Sequence, residues 1–328
     1  MDYLEVTSLM LTDGFFGDLR IYQMRPPWKL LCVPVLTVIA ACGGSGGSGS
    51  IQVASPSPPP VSSPAPSVQG TRTISYGGVS VQVVIYVPPV AVKDALVLYH
   101  PTVWFDDRIL GAAENTLDNF KRLLNRDDML LVSVAYPQQN REIGEGLREA
   151  EAALLWVKNE ASRALGVSIN RVFIAGHSQG AYVVTRLNSL QPTNGVIANA
   201  PGPLDFEYRC LLEERGGAPG SQECGLMVQR YGRPSANPTP YRKISLLSYT
   251  EGFKADALFV QGLDDTDIQM RSWPLLKQAV QSCTNCQRPV FLEVAGGHDA
   301  LFTSFTAREA FNQFIDQRRT AASTVRID

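Results

Sequence analysis

The 328-residue sequence predicts a doubly wound α/β fold built on a mostly parallel sheet. The first observation is that short apolar runs alternate with segments whose apolar residues recur at helical spacing. Runs that are apolar throughout suit strands buried on both faces, as in a parallel sheet. The second observation is a strand, a tight turn and a helix in direct succession at residues 171–190.

The individual elements follow from the same two patterns. Eight apolar runs are predicted as strands: Thr71–Tyr76, Ser80–Val87, Ala95–Tyr99, Met129–Ala135, Val172–Ala175, Val196–Ala200, Ala257–Gln261 and Val290–Val294. Gly77-Gly78 predicts that the first two strands form an antiparallel hairpin. Five helices are predicted by spacing: Leu117–Leu124, Ile143–Leu165, Gln179–Leu190, Trp273–Val280 and Ser304–Arg318. Gly166 is the expected C-cap of the second helix, and Ser272 the expected N-cap of the fourth.

Composition limits the possible partners. Apolar residues make up 45% of the chain, the net charge is −2, and no block of lysine and arginine occurs. We therefore expect a sizeable core and no nucleic-acid partner. One folded domain is predicted at residues 71–319, followed by a short tail at 320–328.

The N-terminal region has the pattern of an export signal. A basic stretch at Met24–Lys29 precedes the apolar run Leu30–Ala41, which is too short for a permanent transmembrane helix. Ile39-Ala40-Ala41-Cys42 resembles the bacterial lipobox, in which the signal is cut before the cysteine and that cysteine receives lipid. We therefore predict a lipoprotein signal peptide at 24–41 and lipidation at Cys42. An ordinary secretory signal with an incidental cysteine is the alternative.

Two further N-terminal segments fit this prediction. Residues 1–23 are acidic without a clear amphipathic pattern, so we interpret them as a misassigned extension before a start at Met24. Residues 42–70 are rich in glycine, serine and proline and are predicted to be a linker between the lipid anchor and the folded domain. The protein is thus expected to be an exported bacterial lipoprotein, anchored to a membrane in the periplasm or at the cell surface.

The turn at residues 176–180 carries the strongest functional pattern. Gly176-His177-Ser178-Gln179-Gly180 is a G-x-S-x-G sequence between a buried strand and a helix. A serine on such a sharp turn adopts a strained backbone, and glycines on both sides remove the Cβ atoms that would clash. The Ser178 hydroxyl is therefore predicted to be a nucleophile, with the Gln179 N–H directed at a developing oxyanion.

The base and the acid that would serve Ser178 come later in the chain. Of the three histidines, His298 lies in a loop directly after the last strand, where a mobile base would be delivered. Three aspartates compete for the acid in the loop after strand 257–261: Asp264, Asp265 and Asp267. The order serine, acid, histidine is that of the α/β-hydrolases.

The sequence resembles the catalytic domains of prolyl-oligopeptidase-type and dienelactone-hydrolase-type α/β-hydrolases over most of residues 71–319. Gly262-x-x-Asp265-x-x-Ile268 is similar to their G-x-x-D-x-x-V stretch, and Asn170-Arg171 and Asn237-Pro238 are similar too. The resemblance implies that Asp265 is the triad acid. It also implies that the turn after strand 95–99 supplies the second oxyanion donor, for which Thr102 is the candidate and Val103 the next.

The segment from Pro201 to Ala255 is a long connection between two predicted strands. A segment of this length beside the site predicts an inserted cap or lid, with surface helices that do not gate the site as the alternative.

In an exported protein the four remaining cysteines predict disulfides, and the local pairing is Cys210 with Cys224 and Cys283 with Cys286. No metal or organic cofactor is expected.

The predicted function is a serine hydrolase that cleaves a carboxylic ester through an acyl-enzyme, with a Ser178–His298–Asp265 triad. The alternative is a serine peptidase of the prolyl-oligopeptidase type acting on short peptides. Two departures favour the ester: the chain has no room for the peptidases' propeller domain, and Gln179 replaces their usual aromatic residue. A non-catalytic binding protein on a hydrolase scaffold is a third interpretation.

Overall fold

The computed structural model describes residues 70–137 and 146–320. The strands in this part are β1 (Gly70–Tyr76), β2 (Val79–Tyr86), β3 (Asp94–Tyr99), β4 (Met129–Ala135), β5 (Arg171–His177), β6 (Gly195–Asn199), β7 (Ala257–Gly262) and β8 (Pro289–Val294). The α-helices are α1 (Ile109–Leu123), α2 (Leu147–Asn159), α3 (Ala161–Leu165), α4 (Gln179–Leu190), α5 (Phe206–Glu214), α6 (Gln222–Tyr231), α7 (Thr239–Ile244), α8 (Asp267–Gln281), α9 (Ala300–Thr303) and α10 (Phe305–Thr320). The predicted N-terminal extension, the signal peptide, Cys42 and nearly all of the linker lie outside the described residues.

The strands form one mixed sheet in the order β1-β2-β4-β3-β5-β6-β7-β8. β1 and β2 run antiparallel, and the pairings from β4 through β8 are all parallel. The predicted fold class is therefore confirmed. In β3, Val97 and Tyr99 pack into the layer that contains α2, α4 and α8, whereas Leu96 and Leu98 pack into the layer that contains α1 and α10. Burial on both faces explains why the central strands are continuously apolar.

Several local predictions are confirmed and one is wrong. Gly77 and Gly78 both have positive φ in the hairpin turn, and Gly166 ends α3 in the left-handed conformation. Ser272 is not an N-cap: α8 begins after Thr266, whose hydroxyl accepts the Gln269 N–H at 3.4 Å. Proline is common in a first helical turn, so Pro274 imitates a helix start, but here it lies inside α8.

Two of the other predicted helices have different limits. The helix predicted to start at residue 117 begins two turns earlier, as α1. The helix predicted at 143–165 is divided into α2 and α3, because Glu160 departs from helical geometry with φ −121° and ψ −29°. No helix among the described residues is long and apolar enough to cross a membrane.

The segment between β6 and β7 folds into three short helices, α5, α6 and α7, which we call the cap helices. They have an apolar cluster of their own, formed by Phe206, Cys210, Cys224, Met227 and Tyr241. The predicted disulfides are both present: Cys210–Cys224 joins α5 to α6, and Cys283–Cys286 closes the turn after α8. At the base of the cap helices, the N–H groups of Leu246 and Leu247 donate to the carbonyls of Pro203 and Leu204.

Candidate active site

Ser178 stands on a strained turn between β5 and α4. Its backbone has φ 56° and ψ −118°, a conformation that non-glycine residues rarely adopt. A Cβ atom on Gly180 would lie 2.0 Å from the Tyr99 carbonyl oxygen, and one on Gly176 would lie 2.2 Å from the Gly180 carbonyl. Only glycine fits at these two positions, so the sequence motif and the geometry agree.

The His298 imidazole is paired with Asp265. Nδ1 of His298 lies 2.8 Å from Oδ2 of Asp265, whose side chain is 1% exposed, while that of His298 is 42% exposed. Their loops meet because Gly262 ends β7 against the turn at Gly296-Gly297; a Cβ there would lie 2.1 Å from the Gly297 carbonyl oxygen. The structure thus brings together the predicted acid and base.

The electrostatics of this pair favour a carboxylate next to a basic imidazole. Burial opposes ionisation of Asp265, but hydrogen bonds from His298 and from the Gln261 amide outweigh it, and its pKa is lowered. The hydrogen bond to Asp265 in turn raises the pKa of His298, against the opposing effect of burial. An imidazole held in this way binds a proton more readily than a free one, as a general base must.

Ser178, Asp265 and His298 line one cavity of about 400 Å³. The remaining lining residues come from the β3–α1 loop, the cap segment and the start of α8: Thr102, Gly202, Pro203, Phe206, Arg209, Glu223, Thr266 and Gln269. Among the described residues no hydrogen bond joins Ser178 to His298, as is common in enzymes without substrate.

The two predicted oxyanion donors flank the serine. Gln179 follows Ser178 as the first residue of α4, so its N–H is one of the orphan amides of a helix N-terminus. Thr102 lines the same cavity as Ser178. Neither backbone N–H has an acceptor in the described part of the chain.

The three competing aspartates have separate roles in the structure. Asp264 ties the two loops together, since its N–H donates to the Gly296 carbonyl at 2.9 Å and its Oδ2 accepts the Gly296 N–H at 3.0 Å. Asp267 is the first residue of α8. Of the three, Asp265 is the one that contacts His298.

A buried amide network behind the acid was not predicted. The Gln261 side chain donates to Oδ2 of Asp265 at 2.9 Å, and the Gln269 side chain donates to the Gln261 amide oxygen and to the Pro201 carbonyl, both at 3.0 Å. These bonds hold the Asp265 carboxylate in place. The available signal was Gln261 itself, a polar residue at the end of an otherwise apolar strand.

The other two histidines are buried and structural. His100 is 1% exposed, and burial lowers its pKa to about 4. Its Nδ1 faces the Pro101 carbonyl at 2.7 Å, and its Nε2 can accept the Tyr136 N–H at 3.4 Å. His177 packs beneath the site, with its ring centroid 4.9 Å from that of His298. Among the described residues, no group of histidine, cysteine, aspartate or glutamate is arranged to hold a metal ion.

Neither a family model nor a curated protein matches the sequence. Solved structures match by fold. An esterase from the fungus Rhizomucor miehei is 14% identical, with 76% of this chain and 82% of that chain covered and a TM-score of 0.56. A hyperthermophilic esterase from the archaeon Pyrobaculum calidifontis is 18% identical, with 76% and 84% covered and a TM-score of 0.54.

The acylaminoacyl peptidase of Pyrococcus horikoshii is 12% identical, with a TM-score of 0.52. The match covers 76% of this chain but only 41% of the peptidase, so this chain is similar to part of that protein. The likeness to the three proteins shows that this chain shares their fold. Fold alone does not decide between their reactions.

Proposed function

We propose that this protein is a serine hydrolase that cleaves carboxylic esters through an acyl-enzyme. The observation that supports this proposal is that one cavity is lined by Ser178 on its strained turn, by the His298–Asp265 pair and by Thr102, with Gln179 directly after the serine. A nucleophile, an oriented base and oxyanion donors are the parts that acyl transfer requires.

The reaction follows from the orientation of the imidazole. Because Nδ1 of His298 donates to Asp265, Nε2 carries no proton in the neutral ring and can accept one from Ser178. The serine oxygen then attacks the ester carbonyl, and the N–H groups of Gln179 and Thr102 stabilise the oxyanion. His298 returns its proton to the leaving alkoxide, which leaves an acyl group on Ser178. Water that gives a proton to His298 then attacks the acyl-enzyme, and His298 returns that proton to the Ser178 oxygen as the acid is released.

Peptide hydrolysis is the second candidate. It is favoured by the fold likeness to the acylaminoacyl peptidase and by Arg209 and Glu223, two charged residues in the cavity that could hold the ends of a peptide. An amide nitrogen must be protonated as it leaves, so peptidases need the substrate fixed in a near-attack pose. In the described part of the chain the cap helices are the main candidates for that task. We therefore place the ester first.

The nucleophile is tested by Ser178→Ala, with Ser189→Ala on the same helix as the matched control. We expect the first variant to fold and to lose about five or six orders of magnitude in kcat, as triad serines do, and the second to keep its activity. A fluorophosphonate should label the wild type and the control but not Ser178→Ala. Labelling that persists in Ser178→Ala would refute the assignment.

The substrate class is tested with p-nitrophenyl esters and p-nitroanilides that share one acyl group. An esterase should give a kcat/KM for the ester well over about tenfold that for the anilide, because it provides little leaving-group protonation. An anilide rate within that factor would establish the peptidase instead. Both substrates release a coloured product, so one purified preparation serves for both.

We further propose that the domain at 71–319 is attached to a membrane by lipid on Cys42. This rests on the signal pattern of residues 24–41 and on the linker that follows it. Cys42→Ser should abolish incorporation of a labelled fatty acid and move the protein to the soluble fraction, whereas Cys32→Ser should do neither. Unchanged incorporation in Cys42→Ser would contradict the proposal.

A further inference from the structure

Asn199, the last residue of β6, contacts the backbones of both Ser178 and His298. It is fully buried, and its carbonyl accepts the Ser178 N–H at 2.9 Å. Its side-chain Nδ2 donates to the His298 carbonyl at 3.3 Å. One residue therefore joins the strained turn of the nucleophile to the loop of the base.

The same amide also holds His177. Nδ2 of Asn199 lies 2.8 Å from Nδ1 of His177. Because an amide nitrogen can only donate, Nδ1 carries no proton and the His177 ring is protonated at Nε2. That Nε2 lies 3.0 Å from Oδ1 of Asp299, the residue directly after His298. The loop at 298–299 is thus held at two adjacent residues, through the His298 carbonyl and the Asp299 side chain.

We propose that Asn199 is a positioning residue that sets the distance between Ser178 and His298. His177 and Asp299 continue its hydrogen bonds to the next residue of the His298 loop. The inference rests on the proposed function, since it concerns the geometry of that reaction. Asp265 orients the side chain of His298, which stays 42% exposed, while Asn199 holds its backbone carbonyl.

Two local costs support this role. Ala200, directly after Asn199, has φ 47°, a strained value for a non-glycine residue. The Oδ1 atom of Asn199 is buried without a hydrogen-bond partner among the described residues. A buried polar atom without a partner lowers stability and calls for an explanation. An apolar residue at the end of β6 would avoid that cost, but it would lose the Nδ2 donor.

The test compares Asn199→Ala with Asn188→Ala. Asn188 is also fully buried, and its amide joins α4 to Ala255 by bonds of 2.9 and 3.0 Å, away from the cavity. We expect both variants to lose thermal stability, but only Asn199→Ala to lose about 100-fold in kcat, with KM changed by less than about threefold. An equal loss of kcat in both variants, or none in Asn199→Ala, would overturn the inference.

If Asn199→Ala fails to fold, variants of Asp299 provide a second test of the proposal. The Asp299 side chain is 70% exposed, so its replacement does not threaten folding. Asp299→Asn keeps an oxygen for the His177 Nε2–H, and Asp299→Ala does not. We expect a loss of about tenfold in kcat for Asp299→Ala, equivalent to one hydrogen bond, and less than about twofold for Asp299→Asn. Equal values for the two variants would contradict the proposal.

The outcomes separate this inference from the proposed function. If Ser178→Ala abolishes activity while Asn199→Ala and Asp299→Ala retain it, the hydrolase stands and the positioning role falls. If Ser178→Ala retains activity, the proposed function itself fails. The rate of fluorophosphonate labelling gives a second readout, because it reports the reactivity of Ser178 without a turnover step.

Discussion

Two buried carboxylates lie at opposite ends of the sheet, and their partners differ. Asp265, after β7 at the carboxyl end, has a side chain that is 1% exposed and contacts His298. Asp94, the first residue of β3 at the amino end, has a side chain that is 0% exposed and lies 2.7 Å from Nε of Arg319. Arg319 also pairs with Asp128 at 2.7 Å and so joins α10 to the sheet.

The partner decides what each carboxylate can do. Burial raises the pKa of Asp94, and the attraction of Arg319 and Arg171 offsets only part of that effect. The pKa of Asp265 is lowered, because its hydrogen bonds outweigh its burial. An arginine does not release its proton, whereas a histidine exchanges one near neutral pH. Similar burial therefore gives a fixed structural contact at one end and, under the proposed function, a proton-transfer pair at the other.

Among the variants that test this comparison, we expect the largest effect from a change of Asp265, at the carboxyl end of the sheet. Asp265→Asn should lower kcat by about 10⁴-fold with little change in folding, because the amide can donate to Nδ1 and leave the imidazole in the wrong tautomer. The change is measured by steady-state kinetics on an activated ester, with circular dichroism to check the fold.

Asp264→Asn and Asp267→Asn are the matched controls. Asp264→Asn keeps an amide oxygen that can accept the Gly296 N–H and removes only the charge, so it should have a much smaller kinetic effect. Asp267→Asn should be close to the wild type. Equal losses in all three variants would mean that the loop is structural and that Asp265 is not the acid.

At the amino end the expected effect is on stability. Arg319→Met removes the nearest partner of Asp94 and leaves the buried carboxylate with Arg171 at 3.7 Å, which should cost about 3–5 kcal/mol in the free energy of unfolding. The kcat of the folded fraction should stay near the wild type, because Ser178 lies at the other end of the sheet. Urea unfolding followed by tryptophan fluorescence measures the loss.

Arg163→Met serves as the control for a charge pair. Arg163 pairs with Glu160 on the surface and its side chain is 84% exposed, so its loss should cost less than about 1 kcal/mol. If Arg319→Met were no more harmful than Arg163→Met, the Asp94–Arg319 contact would not hold α10 to the sheet.

The sequence predicts the site at the carboxyl end of the sheet better than the ion pair at its amino end. The elbow at Ser178 and the loop of His298 are recognisable because the chemistry demands glycines and a histidine at particular places along the chain. The eight strands are recognisable because burial on both faces requires continuous apolar runs. The pairing of Asp94 with Arg319 joins residues far apart in sequence, and no local pattern marks it.

The contacts around the base were equally hidden from sequence reasoning. Asn199 and Gln261 are single polar residues near the ends of apolar strands. Only the order of the strands in the sheet brings Asn199 to His298, while Gln261 reaches Asp265 across the turn that follows its own strand. The start of α8 was misplaced because Pro274 imitates a helix N-terminus, while Thr266, the actual cap, lies next to the acid. At this site the three-dimensional arrangement, rather than the local sequence pattern, determines which residues meet and where α8 begins.

The smallest expected effect is the response of kcat/KM to pH. It is also the sharpest test of the comparison, because it reports how Asp265 changes the pKa of His298. His298 acts as a base only when neutral, and Asp265 raises its pKa above the ordinary value of about 6.5. The acid limb of kcat/KM should therefore have its midpoint above about 6.5, with a tenfold loss per pH unit below it. Removing Asp265 should move that midpoint to lower pH.

Stability should respond over a different range. A raised pKa on His298 stabilises the fold at low pH, and that contribution is lost as the pH rises through its folded value. His100 and His177 have lowered pKa values, chiefly because they are buried, so their contribution is lost as the pH falls through about 6.5. Acid should therefore weaken the fold only below about pH 6.5, where unfolding allows His100 and His177 to bind protons. The protein is thus expected to stay folded while its activity falls in the interval just below the midpoint of the acid limb. Urea midpoints and kcat/KM measured across the same buffers check this, and a simultaneous loss of activity and fold would contradict it.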